Sequence, residues 1–118
     1  MELRTQIAKV LVSDACSRYI VELVQKTRTS PWLKQGASPR ASRSLYQGSK
    51  AYAAMQGRGY VIPEDIKTIW LPVMGHRVTL TNDARFQKKT VELILNEIME
   101  QTEVPPYKKE LFDGRKTK

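Results

Sequence analysis

The sequence predicts an all-α domain, a small bundle of three to four helices with at most one short two-stranded β pairing, between residues near 60–62 and 78–80. Three observations carry that prediction. Apolar residues recur at i, i+3/i+4 spacing in four separate segments. Each of these stripes follows a helix-start signal: Ser13-Asp14, Ser38-Pro39, Pro63-Glu64-Asp65 and Thr90. The stretches that read as extended, Val10–Val12, Tyr60–Ile62 and Arg77–Leu80, are too short to build a large sheet.

Leu3, Ile7 and Val10 keep helical spacing, so the first ten residues read as the end of a helix. Ser13 then caps a helix over about 14–28, with Asp14 in its first turn and Lys26 and Arg28 in its last. Its stripe is Cys16, Tyr19, Ile20, Leu23 and Val24. Pro31 and Gly36 predict a loop over 29–37. Ser38 followed by Pro39 is the clearest helix start in the chain. Ala41, Leu45, Gly48, Tyr52 and Met55 form a narrow seam there, and the small residues Gly48, Ala51 and Ala54 permit close packing. Gly57 and Gly59 end that helix.

The third helix opens at Pro63 and carries Ile66, Ile69, Trp70, Val73 and Met74, with Pro72 expected to end or kink it. Residues 81–89 read as a polar loop. Thr90 caps a last helix with Val91, Ile94, Leu95 and Ile98 on one face. From these elements the expected core includes Tyr19, Ile20, Leu23, Leu45, Tyr52, Ile66, Ile69 and Val73. Residues 104–118, with Pro105-Pro106 and a Lys-rich end, are expected to form a tail.

The chain has 118 residues, enough for one domain with a modest core. With 41% hydrophobic and 27% charged residues it fits the globular class and not wholesale disorder. No apolar run approaches the ~20 residues of a membrane span. Gln6 and Lys9 interrupt any signal-peptide core, so the expected location is cytoplasmic. The net charge of +8 is uneven: residues 1–59 hold ten basic and three acidic side chains, a local excess of +7. Such a half invites an anionic partner, and a basic helical domain binding nucleic acid or an acidic protein is the alternative function to weigh. Against nucleic acid, no recognition motif is present and the basic residues are spread over several helices.

Catalytic constellations are absent. There is no GxxxxGK[ST] phosphate loop. His76 and Cys16 are single of their kind, which removes the common zinc spacings, and no metal site is expected. Cys16 falls on an apolar stripe and reads as core. Glu64 and Asp65 read as partners of a helix dipole. Arg40 is different. It lies in the first turn of the 38–56 helix, where a cation opposes the positive end of the dipole, and a guanidinium at a helix N-terminus suits a phosphate.

The residues around Arg40 extend this. Gly36-Ala37-Ser38-Pro39-Arg40-Ala41 resembles the sensor-2 motif of MoxR-type AAA+ ATPases. Gly57-Arg58-Gly59-Tyr60-Val61-Ile62-Pro63-Glu64-Asp65-Ile66 is similar to that family's turn into the next lid helix, and Val73-Met74-Gly75-His76-Arg77-Val78 to its histidine-arginine step. Ile62 departs from the threonine cap common in the family. The resemblance covers roughly residues 1–103 and implies a C-terminal lid domain within a longer ATPase. Residues 1–12 would be the end of a linker from the ATPase core, 13–103 the lid and 104–118 the tail. It further implies that Arg40 is the sensor-2 residue facing nucleotide phosphates, positioned by Gly36, Ser38 and Pro39. ATP and Mg2+ would be bound by the full-length protein and not by this fragment alone, which would not be catalytic. The implied partners are the N-terminal AAA+ core, neighbouring subunits of a hexameric ring, and a von Willebrand factor A domain protein. The implied task is chaperone-like assembly or activation of protein complexes.

Overall fold

The computed structural model describes residues 7–35 and 38–104, which form five helices and one small sheet. In order these are α1 (Asp14–Thr29), β1 (Leu33–Gln35), α2 (Pro39–Met55), α3 (Pro63–Met74), β2 (Thr79–Leu80), α4 (Asn82–Phe86) and α5 (Val91–Gln101). The all-α expectation holds. Ser13 caps α1 by accepting from the Cys16 N–H at 3.1 Å, and Thr90 caps α5 by accepting from Leu93 at 3.0 Å. Thr81 does the same for Ala84 at 3.0 Å, which turns part of the expected 81–89 loop into the short helix α4. That helix closes through Lys88, whose φ of 60° puts a non-glycine residue in the left-handed region.

The sheet pairs differently from expectation. β1 and β2 are antiparallel with Leu33 opposite Leu80, so the 78–80 stretch meets a strand inside the segment expected to be loop. Tyr60 instead forms an isolated parallel bridge with Leu11. Strands of two or three residues carry too little alternation to announce a partner, and their pairing follows from where the helices bring them.

Tyr19, Ile20 and Leu23 of α1, Leu45 of α2, and Ile66, Trp70 and Met74 of α3 are all buried. Ile94, Leu95 and Ile98 of α5 close the core. Tyr52, Ile69 and Val73 are half-buried and pack at the edge, while Met55, at the end of the seam, is 71% exposed. The small-residue seam works as expected at Gly48: a Cβ there would stand 3.0 Å from Ile69 Cδ1. α2 and α3 make the most extensive helix contact among the described residues.

Pro72 does not end α3, which runs on to Met74. Its ring faces solvent, so the missing N–H costs a single helical bond. Burial of Trp70 and Met74 on either side holds the helix, and the Gly75 N–H resumes the ladder to Leu71 O at 2.8 Å.

Glu64 is exposed at the α3 N-terminus, as a dipole partner would be. Asp65 is fully buried and does more than that role required. Its carboxylate accepts from the Ile62 N–H at 2.9 Å, which satisfies the donor of the N-cap residue itself, and pairs with the Arg58 guanidinium. No helix among the described residues is long and apolar enough to cross a membrane.

Candidate functional site at the start of the second helix

α2 begins unlike its neighbours. Ser38 occupies the N-cap with extended backbone (φ −75°, ψ 169°), yet its hydroxyl makes no capping bond. Pro39 follows at the first helical position, and the Ala41 N–H reaches Ser38 O at 2.9 Å. α1 and α5 carry Asp14 and Glu92 in their first turns, whereas α2 carries no acid there. Ala41 is fully buried and pins the start of the helix to the core. Ser38, Pro39, Arg40 and Arg43 are all exposed. Neither arginine forms an ion pair with a carboxylate among the described residues. Gly36, expected to shape the turn before Ser38, lies outside the described residues.

This end of α2 therefore presents a guanidinium at a helix start whose own first turn carries no acid. Both features favour an anion, and the planar donor fork of arginine matches phosphate oxygens. The donor set suits the phosphates of a nucleotide. No group of three or more His, Cys, Asp and Glu side chains that could hold a metal ion occurs among the described residues. His76 is exposed in the turn after α3, and Cys16 is buried, its thiol pushed up by burial and opposed by the Ser13 hydrogen bond.

Beside Arg43 an open groove of about 430 Å³ separates α1 and α2, with Ser17 and Val21 on one wall and Ser42 and Tyr46 on the other. Sequence reading missed it, because it needs the relative placement of two helices. It also missed the Arg58–Asp65 pair, seven positions apart across a turn whose shape only the fold supplies.

Residues 25–98 match the AAA lid domain family, and the small helical bundle is the fold of such a lid. The chain belongs to that family. It is 40% identical over 103 residues to the uncharacterized protein YeaC of Bacillus subtilis, covering 87% of this chain and 32% of that protein. It is 31% identical to the chaperone MoxR1 of Mycobacterium tuberculosis, covering 89% of this chain and 30% of that one. A crystal structure from Cytophaga hutchinsonii, of a protein provisionally named an ATPase, superposes with a TM-score of 0.82 at 31% identity. That match covers 87% of this chain and 34% of the other. The chain thus spans about a third of the length of the relatives it matches. Together these place it with the lid regions of MoxR-type AAA+ ATPases.

Proposed function

We propose that this chain is the lid through which a MoxR-type ATPase senses its nucleotide, with Arg40 as the sensor-2 arginine. The observation that carries the reading is the exposed Arg40 guanidinium, without a carboxylate partner among the described residues, at a helix start lacking both acid and side-chain cap. Residues 1–12 lead from the ATPase core, 13–103 form the lid and 104–118 the tail. ATP and Mg2+ bind mainly to the core, and Arg40 reaches the β- or γ-phosphate when lid and core close. Phosphoryl transfer places charge on the equatorial oxygens of the transferred group, and a fixed guanidinium stabilises that charge. Ser38 and Pro39 set where the helix begins and hence where Arg40 points. Gly36 lets the chain turn before them.

In this reading the whole protein forms a hexameric ring in the cytoplasm. It spends ATP on chaperone-like assembly or activation of other complexes, with a von Willebrand factor A domain protein among its partners. The naming of MoxR1 as a chaperone supports the general task.

The test is steady-state ATP hydrolysis by the full-length protein. Arg40→Ala lowers kcat by roughly 10²-fold or more. Arg40→Lys rescues poorly, because an ammonium lacks the planar fork. Arg43→Ala, one turn on, is the partial control. A folded Arg40→Ala variant with the wild-type rate overturns the assignment.

A further inference from the structure

Two backbone hydrogen bonds join the segment leading into α1 to the turn between α2 and α3. The Leu11 N–H donates to Gly59 O and the Val61 N–H donates to Leu11 O, each at 2.9 Å. The Leu11 side chain is 53% exposed, so it is these bonds, and not packing of that side chain, that hold Leu11 to the turn. On its other side the turn is tied by Arg58. Its Nη1 donates to Asp65 Oδ2 at 2.6 Å and to Tyr60 O at 3.3 Å, while Nη2 donates to Asp65 Oδ1 at 2.5 Å. The same carboxylate accepts from the Ile62 N–H. A two-pronged pair is directional, and here the carboxylate is 1% and the guanidinium 25% exposed.

This joint sits at the C-terminal end of α2, and Arg40 sits at the other end. Seventeen residues of helix make a lever about 25 Å long. Because buried Ala41 and Leu45 fix α2 within the bundle, a ~10° turn of the whole bundle about this joint moves Arg40 by ~4 Å, more than the full length of a hydrogen bond. An arginine working at that distance from its anchor needs a stiff anchor.

Resting on the reading of Arg40 above, we infer that Arg58 and Asp65 are positioning residues. Their ion pair stiffens the joint by which the segment before α1 carries α2, and so fixes where Arg40 meets phosphate. Arg58→Lys keeps the charge and removes the fork, which loosens the joint while sparing the core.

The experiment is a double-mutant cycle on the kcat of the full-length ATPase, with hydrogen exchange on this 118-residue chain beside it. Arg58→Lys lowers kcat roughly 10-fold or more in the wild-type background, since a misplacement of ~1 Å can cost 10²-fold. In the Arg40→Ala background it leaves kcat unchanged, whereas a merely structural effect lowers both backgrounds by the same factor. In hydrogen exchange, the Val61 amide loses protection at least ~10-fold while the Trp70 and Leu95 amides hold theirs. Should Arg58→Lys fail to fold, Leu11→Pro removes a single N–H donor from the same joint and gives the same pattern. If Arg40→Ala slows hydrolysis but the joint variants act equally in both backgrounds, or not at all, the positioning role is overturned alone. If Arg40→Ala does not slow hydrolysis, the reading of Arg40 falls, and this inference with it.

Discussion

The indole N–H of Trp70 donates to the backbone oxygen of Leu95 at 2.8 Å, wholly inside the core, and ties α3 to α5 across 25 residues of chain. The ring fills space among helices, and its polar edge is satisfied in the same act. Trp70→Phe keeps most of the apolar volume but forfeits the bond and leaves a void. The expected loss is ~1–3 kcal/mol of unfolding free energy, measured by urea denaturation followed by circular dichroism. A change below ~0.5 kcal/mol would show that the bond and the added volume contribute little.

Trp70 also marks how far the sequence could be read. Its place on an apolar stripe was legible from spacing, as were the caps at Ser13 and Thr90, because these are local patterns within one helix. Its partner was not, since nothing near position 70 names Leu95. The same divide runs through the site. Arg40 stood out because its charge opposes a helix end defined by the two residues before it. Arg58 and Asp65 looked like an ordinary cation and an ordinary dipole partner, and only the folded turn shows them as one unit. The β1–β2 pairing failed for the same reason, being a contact between distant segments too short to carry a period.

The Tyr19 hydroxyl is buried and has no hydrogen-bond partner among the described residues. Burial pushes the phenol up, and Glu64, Cys16 and Glu22 add to the shift. The Cys16 thiol is raised mainly by burial as well. Both groups therefore hold their protons more tightly folded than unfolded. The stability this represents is intact below their ordinary values of 9.0 and 10.0, and is lost as pH rises through them toward the raised folded values. Tyr19→Phe is expected to be neutral or to stabilise by up to ~1 kcal/mol at pH 7, by removing an unpaired polar group. It should also flatten the fall in urea midpoint above about pH 10 relative to the wild type. A loss above ~1 kcal/mol at neutral pH would mean that the hydroxyl has a partner.

Gly48 of α2 faces Ile69 of α3. An alanine at 48 gains up to ~1 kcal/mol of helix propensity but sets its Cβ 3.0 Å from Ile69 Cδ1, so the two effects oppose each other. Ile69→Val deletes that very atom. Alone it costs ~0.5–1.5 kcal/mol. In the Gly48→Ala background it should cost at least ~0.5 kcal/mol less, because it relieves the contact it would otherwise waste. Gly48→Leu, too large for the seam, should destabilise by ~1–3 kcal/mol. Additive single and double variants in thermal unfolding would refute the coupling.

The last expectation concerns the chain on its own. Arg40 is exposed, as are Ser38 and Pro39 before it. Salt screens such charges over about 8 Å at physiological ionic strength, and water competes for every donor. No glycine-rich phosphate loop accompanies them in the sequence. A site of this kind recognises phosphate once something else has brought it there. Titration calorimetry of the 118-residue chain with Mg·ATP should accordingly give a Kd of ~1 mM or weaker, and the chain should release no inorganic phosphate from ATP. Micromolar affinity, about a thousandfold tighter, would require a second set of contacts and would mean that this lid holds a nucleotide by itself rather than reporting on one bound elsewhere.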